Sequence, residues 1–254
     1  LENMTDNNHE EELAEGTLLS HLIELRSRLL IIAVAVLVAF IILLPFSRDI
    51  FTLVSEPLRE VLPGNAMIAT AVASPLLTPF KLTFFAALFL VMPVVLFQVW
   101  NFIAPGLYKN EKRFAIPLLA TSIVLFYLGI AFAYFVVFPL IFGFFTSIAP
   151  EGVEVQTDIT QFLDFITTIV FAFGIAFEVP VATVLIVWAG LTNIEKLAKA
   201  RPYVFLMAFI AGMFLTPPDV ISQSLLAVPV YLLYELGIIM SKVFISKKSE
   251  SDSS

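Results

Sequence analysis

The sequence predicts an all-α integral membrane protein with six transmembrane helices. Three observations support this fold class: 59% of the residues are hydrophobic, only 14% are charged, and the mean hydropathy is +0.97. Such a composition is typical of proteins that reside in a bilayer. Because six spans use most of the 254 residues, no room is left for a separate soluble domain. We therefore expect a single polytopic domain.

Six segments are the predicted spans, since crossing about 30 Å of hydrocarbon takes about 20 predominantly apolar residues in a helix. In chain order they cover residues 29–45, 82–104, 114–138, 162–191, 204–216 and 225–241. The fifth and sixth are short, and the 13 residues of the fifth rise only about 20 Å as a helix. Short spans are accommodated by a thinner bilayer or by water entry. Two adjacent short spans predict one thin patch of membrane.

Basic residues divide unequally between the two sides of these spans. Eleven of the 14 lysines and arginines lie on the side of both chain ends, here called the basic side. Only Arg48, Arg59 and Lys81 lie on the opposite side, here called the outer side. Cytoplasmic loops carry an excess of lysine and arginine. The asymmetry predicts that both termini are cytoplasmic.

Both chain ends are polar, and we expect the membrane domain to cover residues 17–241. Residues 1–16 contain six acidic residues and no lysine or arginine, a composition that predicts a disordered tail. We expect the three residues before Met4 to be additions to the natural chain. Residues 242–254 are predicted to be a short cytoplasmic tail.

The outer loop after the first span, residues 47–79, is long and apolar. Four prolines divide it into short pieces: Pro57, Pro63, Pro75 and Pro79. Because a soluble linker would be polar, we expect these pieces to be helices that lie on the outer face of the membrane.

Several kinds of chemistry are excluded by the residue types present. The chain has no cysteine, and its two histidines, His9 and His21, both precede the first span. We therefore expect no thiol chemistry, no histidine base within the membrane and no metal site; an H-E-x-x-H motif is also absent. The sequence predicts neither an enzyme nor a cofactor.

Two glutamates on the basic side lie next to basic residues. In LLSHLIELRSRLL, residues 18–30, Glu24 precedes Arg28 by one helical turn, which favours an ion pair worth ~0.2–0.5 kcal/mol. In the loop NFIAPGLYKNEKRF, Glu111 is the only acid and is balanced by Lys109 and Lys112. The spacing alone is explained if both glutamates are ordinary surface acids paired with neighbouring bases.

Glu178 is the single charged residue of the apolar run 165–191. A carboxylate near the bilayer centre costs ~2.5 kcal/mol or more on insertion scales. Pro180 predicts a bend here because it removes a backbone hydrogen bond. Two interpretations stay open: a protonated acid bonded to a carbonyl freed by the bend, or an acid in a water-exposed concavity between helices.

Five blocks, in order, resemble the signatures of the TatC family, the multispanning subunit of the twin-arginine protein translocase. The blocks are HLIELRSRL at 21–29, FIAPGLYKNEKR at 102–113, FGIAFEVPV at 173–181, TPPDVISQ at 216–223 and LAVPVYLLYELGI at 226–238. The resemblance implies a cupped, concave bundle in a bacterial-type cytoplasmic (inner) membrane. It implies a receptor for folded proteins carrying twin-arginine signal peptides, oligomeric in its working complex. It also implies single-span partners of the TatA and TatB type and transport powered by the proton-motive force.

The same resemblance implies roles for particular residues. Glu24 and Glu111 would bind the two arginines, since a guanidinium matches a carboxylate with two parallel hydrogen bonds that lysine cannot reproduce. Residues expected to support that site are Arg26, Phe102, Pro105 and Tyr108. Glu178 would form an intramembrane polar site. Thr216 and Gln223 would contact a partner helix, and spacing predicts that Asp219 caps the last helix.

The main alternative is a proton-coupled secondary transporter that uses Glu178, because an intramembrane acid is a common proton site. Such transporters often contain repeats with paired broken helices. The sequence shows no convincing repeat, and only Pro93 and Pro180 are candidates for paired breaks.

Overall fold

The computed structural model describes the backbone of residues 2–61, 67–103, 112–148, 157–216 and 219–251, and side chains from Leu22 to Val243 with gaps. Within these ranges every regular element is helical, apart from one isolated bridge between Ile68 and Asp158. The first four helices are α1 (Glu2–Leu43), α2 (Ser47–Val61), α3 (Ser74–Leu90) and α4 (Met92–Ile103). They are followed by α5 (Lys112–Phe132), a π-helical turn (Ala133–Val137), α6 (Phe138–Ser147) and α7 (Ile159–Ala176). The last three are α8 (Val179–Trp188), α9 (Ile194–Leu215) and α10 (Val220–Ser251).

The predicted set of six spans is confirmed. Within the described ranges, five helical segments are long and apolar enough to cross a membrane: Leu22–Glu56, Ile116–Ser147, Ile159–Trp188, Ile194–Leu215 and Val220–Val243. The sixth is the bent pair Ser74–Leu90 and Met92–Phe102. The chain is therefore a multi-pass membrane protein.

The helices extend beyond the apolar segments that the sequence marks. α9 begins ten residues before the apolar part of span five, with Glu195, Lys196 and Lys199 in its first turns, so its polar end lies on the basic side. α10 continues to Ser251, and α1 reaches back to Glu2. The sequence favours a disordered tail over residues 1–16, and the order of that segment in solution stays a prediction.

Two spans are broken beside a proline. α3 and α4 meet at Val91 with a bend of 49°, and Pro93 lies in the first turn of α4. α7 and α8 are separated by Phe177 and Glu178, and Pro180 lies in the first turn of α8. Proline has no N–H to donate to the preceding turn, which favours a break at these two places. Other prolines lie inside helices that continue through them, namely Pro79, Pro117, Pro202 and Pro229. Both candidate breaks are confirmed.

The core lies where α7 packs against α5, the π-helical turn and α6. Its buried side chains include Phe138, Ile141, Phe162 and Phe173. Between helices in lipid, close packing replaces the hydrophobic effect as the main attraction. A Cβ on Gly129 of α5 would lie 2.5 Å from the Phe173 carbonyl oxygen, so only glycine allows this approach. The crossing holds α7 firmly just before its break.

Two outer loops are joined by hydrogen bonds, a feature here called the outer link. Ile68 N donates to Thr157 O at 3.0 Å, and Ile159 N donates to Ile68 O at 2.9 Å. Asp158 adds bonds to Thr70 and to the first turn of α7. The predicted outer helices correspond to α2 and to the beginning of α3, but the expected division at Pro57 and Pro79 is wrong, because both prolines lie inside these helices. α2 carries charged residues on one face and packs against α3 and α6.

Candidate functional site

Arg28 joins the first span to the end of the second on the basic side. Its Nε donates to Glu24 Oε1 at 3.1 Å, and Nη2 pairs with the same oxygen. Nη1 donates to Gln98 Oε1 at 3.1 Å, and Nη2 donates to the Asn101 carbonyl at 3.1 Å. The guanidinium therefore holds one carboxylate while it bonds to two residues of α4. The ion pair expected from the i, i+4 spacing is present.

Glu24 is held by one oxygen only. Its side chain is 37% exposed, whereas that of Arg28 is 18% exposed. Glu24 Oε2 accepts no hydrogen bond from any side chain that the structure describes. A carboxylate with one fixed oxygen and one open oxygen can accept a further donor, and a guanidinium is a fitting one.

The remaining residues expected at this site are placed only in part. Arg26 is exposed, and Phe102 is half-buried at the end of α4 beside Asn101. Glu111, Pro105 and Tyr108 lie outside the described residues. The structure therefore brings Glu24, Arg28 and the end of α4 together and says nothing of the loop that carries Glu111.

Glu178 lies at the break between α7 and α8 and faces the third span. Ser122 of α5, itself 1% exposed, donates its hydroxyl to Glu178 Oε2. Glu178 Oε1 is buried and has no hydrogen-bond partner within the described part of the chain. Within the described residues, the partner of the carboxyl is thus a hydroxyl of a neighbouring span rather than a backbone carbonyl.

The edge formed by spans five and six uses its polar residues internally. Thr216 is buried and donates to the Gly212 carbonyl at 2.9 Å. Gln223 Nε2 donates to the Phe209 carbonyl at 2.7 Å, so α10 binds α9 at this point. Asp219 Oδ1 accepts from Ser222 N at 2.7 Å, which confirms the predicted helix cap.

Arg201 and Glu235 form an ion pair that the sequence reading missed. Nε and Nη2 of Arg201 donate to the two carboxylate oxygens of Glu235 at 2.7 and 2.8 Å, and Tyr231 donates to the same carboxylate at 3.0 Å. Arg201 lies 17 residues before Pro218 and Glu235 lies 17 residues after it. Equal distance from a proline turn is the pattern of facing positions in a helical hairpin, so this pair was open to prediction.

Asp158 is a second carboxylate that sequence reasoning did not single out. Its Oδ2 accepts from the Thr70 hydroxyl at 2.7 Å and from Thr70 N at 2.9 Å. Its Oδ1 accepts from Thr160 N at 2.8 Å and from Gln161 N at 3.2 Å. These donors, the Thr70 hydroxyl foremost, lower the pKa of Asp158 to about 2, because hydrogen bonds to the charged form favour it.

No group of three histidine, cysteine, aspartate or glutamate side chains among the described residues is arranged to hold a metal ion. The carboxylates described above form hydrogen bonds with hydroxyls and amides or ion pairs with guanidinium groups. The arrangement is suited to binding and to holding helices together.

Known proteins resemble this chain along most of its length. The family model described as Sec-independent protein translocase protein (TatC) matches residues 20–229. A TatC protein from Azotobacter chroococcum is 62% identical over 222 residues, which cover 87% of each chain. The TatC protein of Escherichia coli (strain K12) is 57% identical over 231 residues, or 91% of this chain and 90% of that one.

A solved structure is also similar. The crystal structure of a twin-arginine translocase receptor, TatC, superposes with a TM-score of 0.79 at 37% identity, covering 88% of this chain and 98% of that chain. The matched family is a component of a protein translocase. The chain therefore belongs to the TatC family of Sec-independent protein translocase proteins.

Proposed function

We propose that this chain is the receptor for twin-arginine signal peptides and the assembly core of its translocase. The observation that carries the proposal is the state of Glu24, which lies on the basic side with one oxygen bonded to Arg28 and 37% of its side chain exposed. In this proposal, Glu24 takes one arginine of the signal peptide.

Arg28 supports such an exchange because it has other acceptors. When Glu24 turns toward an incoming guanidinium, Arg28 keeps its bonds to Gln98 and to the Asn101 carbonyl. Nη1 and Nη2 therefore keep hydrogen-bond acceptors, which lowers the cost of losing the carboxylate. The resident ion pair therefore holds Glu24 in place at little cost to ligand binding.

The second arginine is assigned to Glu111, which follows the end of α4. Two carboxylates on separate segments would each take one guanidinium in a two-bond geometry, so the peptide would need a pair of arginines. Arg26, Phe102, Pro105 and Tyr108 are proposed to support the site rather than to contact the arginines. Phe102 directly follows Asn101, whose carbonyl anchors Arg28.

Partner subunits of the TatA and TatB type are proposed to dock on the edge formed by α9 and α10. Gln223 uses its amide nitrogen within the chain, so its carboxamide oxygen is the atom offered to a partner helix. Thr216 is buried and shapes this edge from beneath. Glu178 is proposed as the intramembrane polar site for a partner helix or signal peptide.

The cellular setting follows from the same proposal. Both termini face the cytoplasm of a bacterial-type inner membrane, the working complex contains several subunits, and the proton-motive force powers export of folded proteins. The asymmetry of basic residues supports this orientation.

The test is binding of a fluorescent signal peptide to the purified protein in lipid nanodiscs. We expect an Arg-Arg peptide to bind and a Lys-Lys peptide to bind roughly tenfold or more weakly, since charge-assisted bonds contribute about 1.5–3 kcal/mol. Glu24→Ala and Glu111→Ala should each weaken the Arg-Arg peptide by a similar factor.

Glu195→Ala is the matched control, because Glu195 is an exposed acid on the same basic side. It should leave binding of both peptides unchanged. Equal binding of both peptides by all variants would overturn the receptor proposal and direct attention to proton transport through Glu178.

A further inference from the structure

The carboxyl of Glu178 is bonded unevenly. Ser122 donates to Oε2, whereas Oε1 is buried and meets no donor within the described part of the chain. The surroundings are apolar: Leu118, one turn before Ser122, and Val181, just after Glu178, belong to a buried cluster with Trp100. Ser122 is thus the one described side chain that distinguishes the two oxygens.

The segment that carries Glu178 is held on both sides of the helix break. Before it, α7 packs on α5 through the approach of Gly129 to the Phe173 carbonyl. After it, α8 packs on α10, where a Cβ on Gly237 would lie 2.9 Å from Thr183 and 3.0 Å from Pro180 Cα. The backbone at Glu178 is therefore fixed, and the remaining freedom lies in the side chain.

The Ser122 hydroxyl removes much of that freedom. With Oε2 engaged as an acceptor, Oε1 is the atom left to carry the proton or to accept a bond from an incoming group. Without Ser122, rotation about the last side-chain bond would interchange the two oxygens. The Ser122 hydroxyl thereby determines which carboxyl oxygen is bonded within the chain and which is open to an incoming group.

We propose that Ser122 is a positioning residue for Glu178. Its hydroxyl holds Oε2 against α5. Oε1 is therefore the atom of the intramembrane polar site that carries the proton or accepts a hydrogen bond from an incoming group. This inference rests on the proposed role of Glu178 in transport. It adds a residue of the third span to a site otherwise assigned to the fourth.

The test is infrared spectroscopy of the reconstituted protein combined with export assays in vesicles that contain the complete translocase. The Glu178 carboxyl band is identified by its loss in Glu178→Gln. In Ser122→Ala that band should shift, because its hydrogen bond is gone, and export should fall roughly threefold or more. Ser122→Thr, which keeps the hydroxyl, should retain the band position and most of the export.

Ser241→Ala is the matched control, since Ser241 is also 1% exposed but donates to the Gly237 carbonyl of its own helix. It should leave the Glu178 band and export unchanged. An unshifted band in Ser122→Ala, or equal loss of export in Ser241→Ala, would overturn the inference. Normal export by Glu178→Ala would instead show that Glu178 has no role in transport. The infrared result would still decide whether Ser122 positions the carboxyl of Glu178.

Discussion

Glu24 lies near the basic-side end of the first span and Asp158 lies just before the fourth on the outer side, yet the two carboxylates are bonded in opposite ways. Asp158 is 6% exposed and receives four hydrogen bonds from neutral donors, two on Thr70 of an outer loop and two in the first turn of α7. Among the described residues, Glu24, which is 37% exposed, receives bonds on one oxygen from one cation, Arg28.

The difference indicates two uses of the same chemical group. Every bond of Asp158 comes from its own chain, so a ligand could be bound only by breaking the joint between two loops. Glu24 has an open oxygen, and its resident cation has further partners to which it stays bonded. A saturated carboxylate is suited to structure, and a partly bonded carboxylate is suited to exchange of ligands.

The strongest expected effect comes from reversing the charge on the open carboxylate. Glu24→Lys should weaken signal-peptide binding by on the order of 100-fold or more, because it removes charge-assisted bonds and presents an ammonium to the incoming arginines. Fluorescence anisotropy with the Arg-Arg peptide measures this loss. Glu195→Lys makes the same charge change on an exposed residue of the basic side and should alter affinity about twofold at most. Equal losses in both variants would reduce Glu24 to a general surface charge.

An intermediate effect should follow removal of the saturated carboxylate. Asp158→Ala deletes the N-cap of α7 and both bonds to Thr70, so the amide of Ile68 should exchange its hydrogen roughly tenfold faster. Hydrogen–deuterium exchange measures the opening. Signal-peptide affinity should stay within about twofold of the parent.

Asp164→Ala is the control for that experiment, since Asp164 is a half-exposed acid six residues further along, paired with Lys81. It should leave exchange at Ile68 unchanged. If Asp158→Ala weakens peptide binding as much as Glu24→Lys does, the two sides of the molecule are coupled and the contrast between them fails.

The smallest effect is a pH dependence of the outer link. The pKa of Asp158 lies near 2, below the ordinary value of 3.8, mainly because of the Thr70 hydroxyl. A lowered pKa means that the ionised form stabilises the link fully above about pH 4 and that this stabilisation is lost as the pH falls toward 2.

Exchange at Ile68, corrected for its intrinsic pH dependence, should therefore rise between pH 4 and pH 2 and stay constant between pH 5 and pH 7. Asp158→Asn cannot titrate and should show no such rise. A rise of the same size in Asp158→Asn would assign the acid sensitivity to another group.

The spans and their breaks were predictable because they depend on local composition. Apolar runs mark the helices, and both breaks lie beside a proline, Pro93 and Pro180, because a missing N–H acts within one turn. Proline alone does not fix a break, since Pro117 and Pro202 lie inside continuous helices. The Glu24–Arg28 pair was predictable for the same reason. Spacing of four residues on a helix brings the two groups together wherever the helix lies.

Contacts between distant segments were not predictable in this way. Arg28 bonds to Gln98, 70 residues away, and Glu178 bonds to Ser122, 56 residues away. The pairing of helices depends on side-chain packing, and this packing produces no repeating pattern in the sequence. The Arg201–Glu235 pair is an exception, since its helices are consecutive and its two residues are equally far from one turn.

The outer link also sets an order of events during synthesis. It joins Thr70 to Asp158 across 88 positions, so the hydrogen bonds close spans two and three into a ring in a chain that has no cysteine. A nascent chain cannot form this ring until the ribosome has made the beginning of the fourth span, when three spans have already been made. Asp158 and the residues beside it are therefore the last components needed to complete the ring, and nascent chains that stop before them lack it entirely.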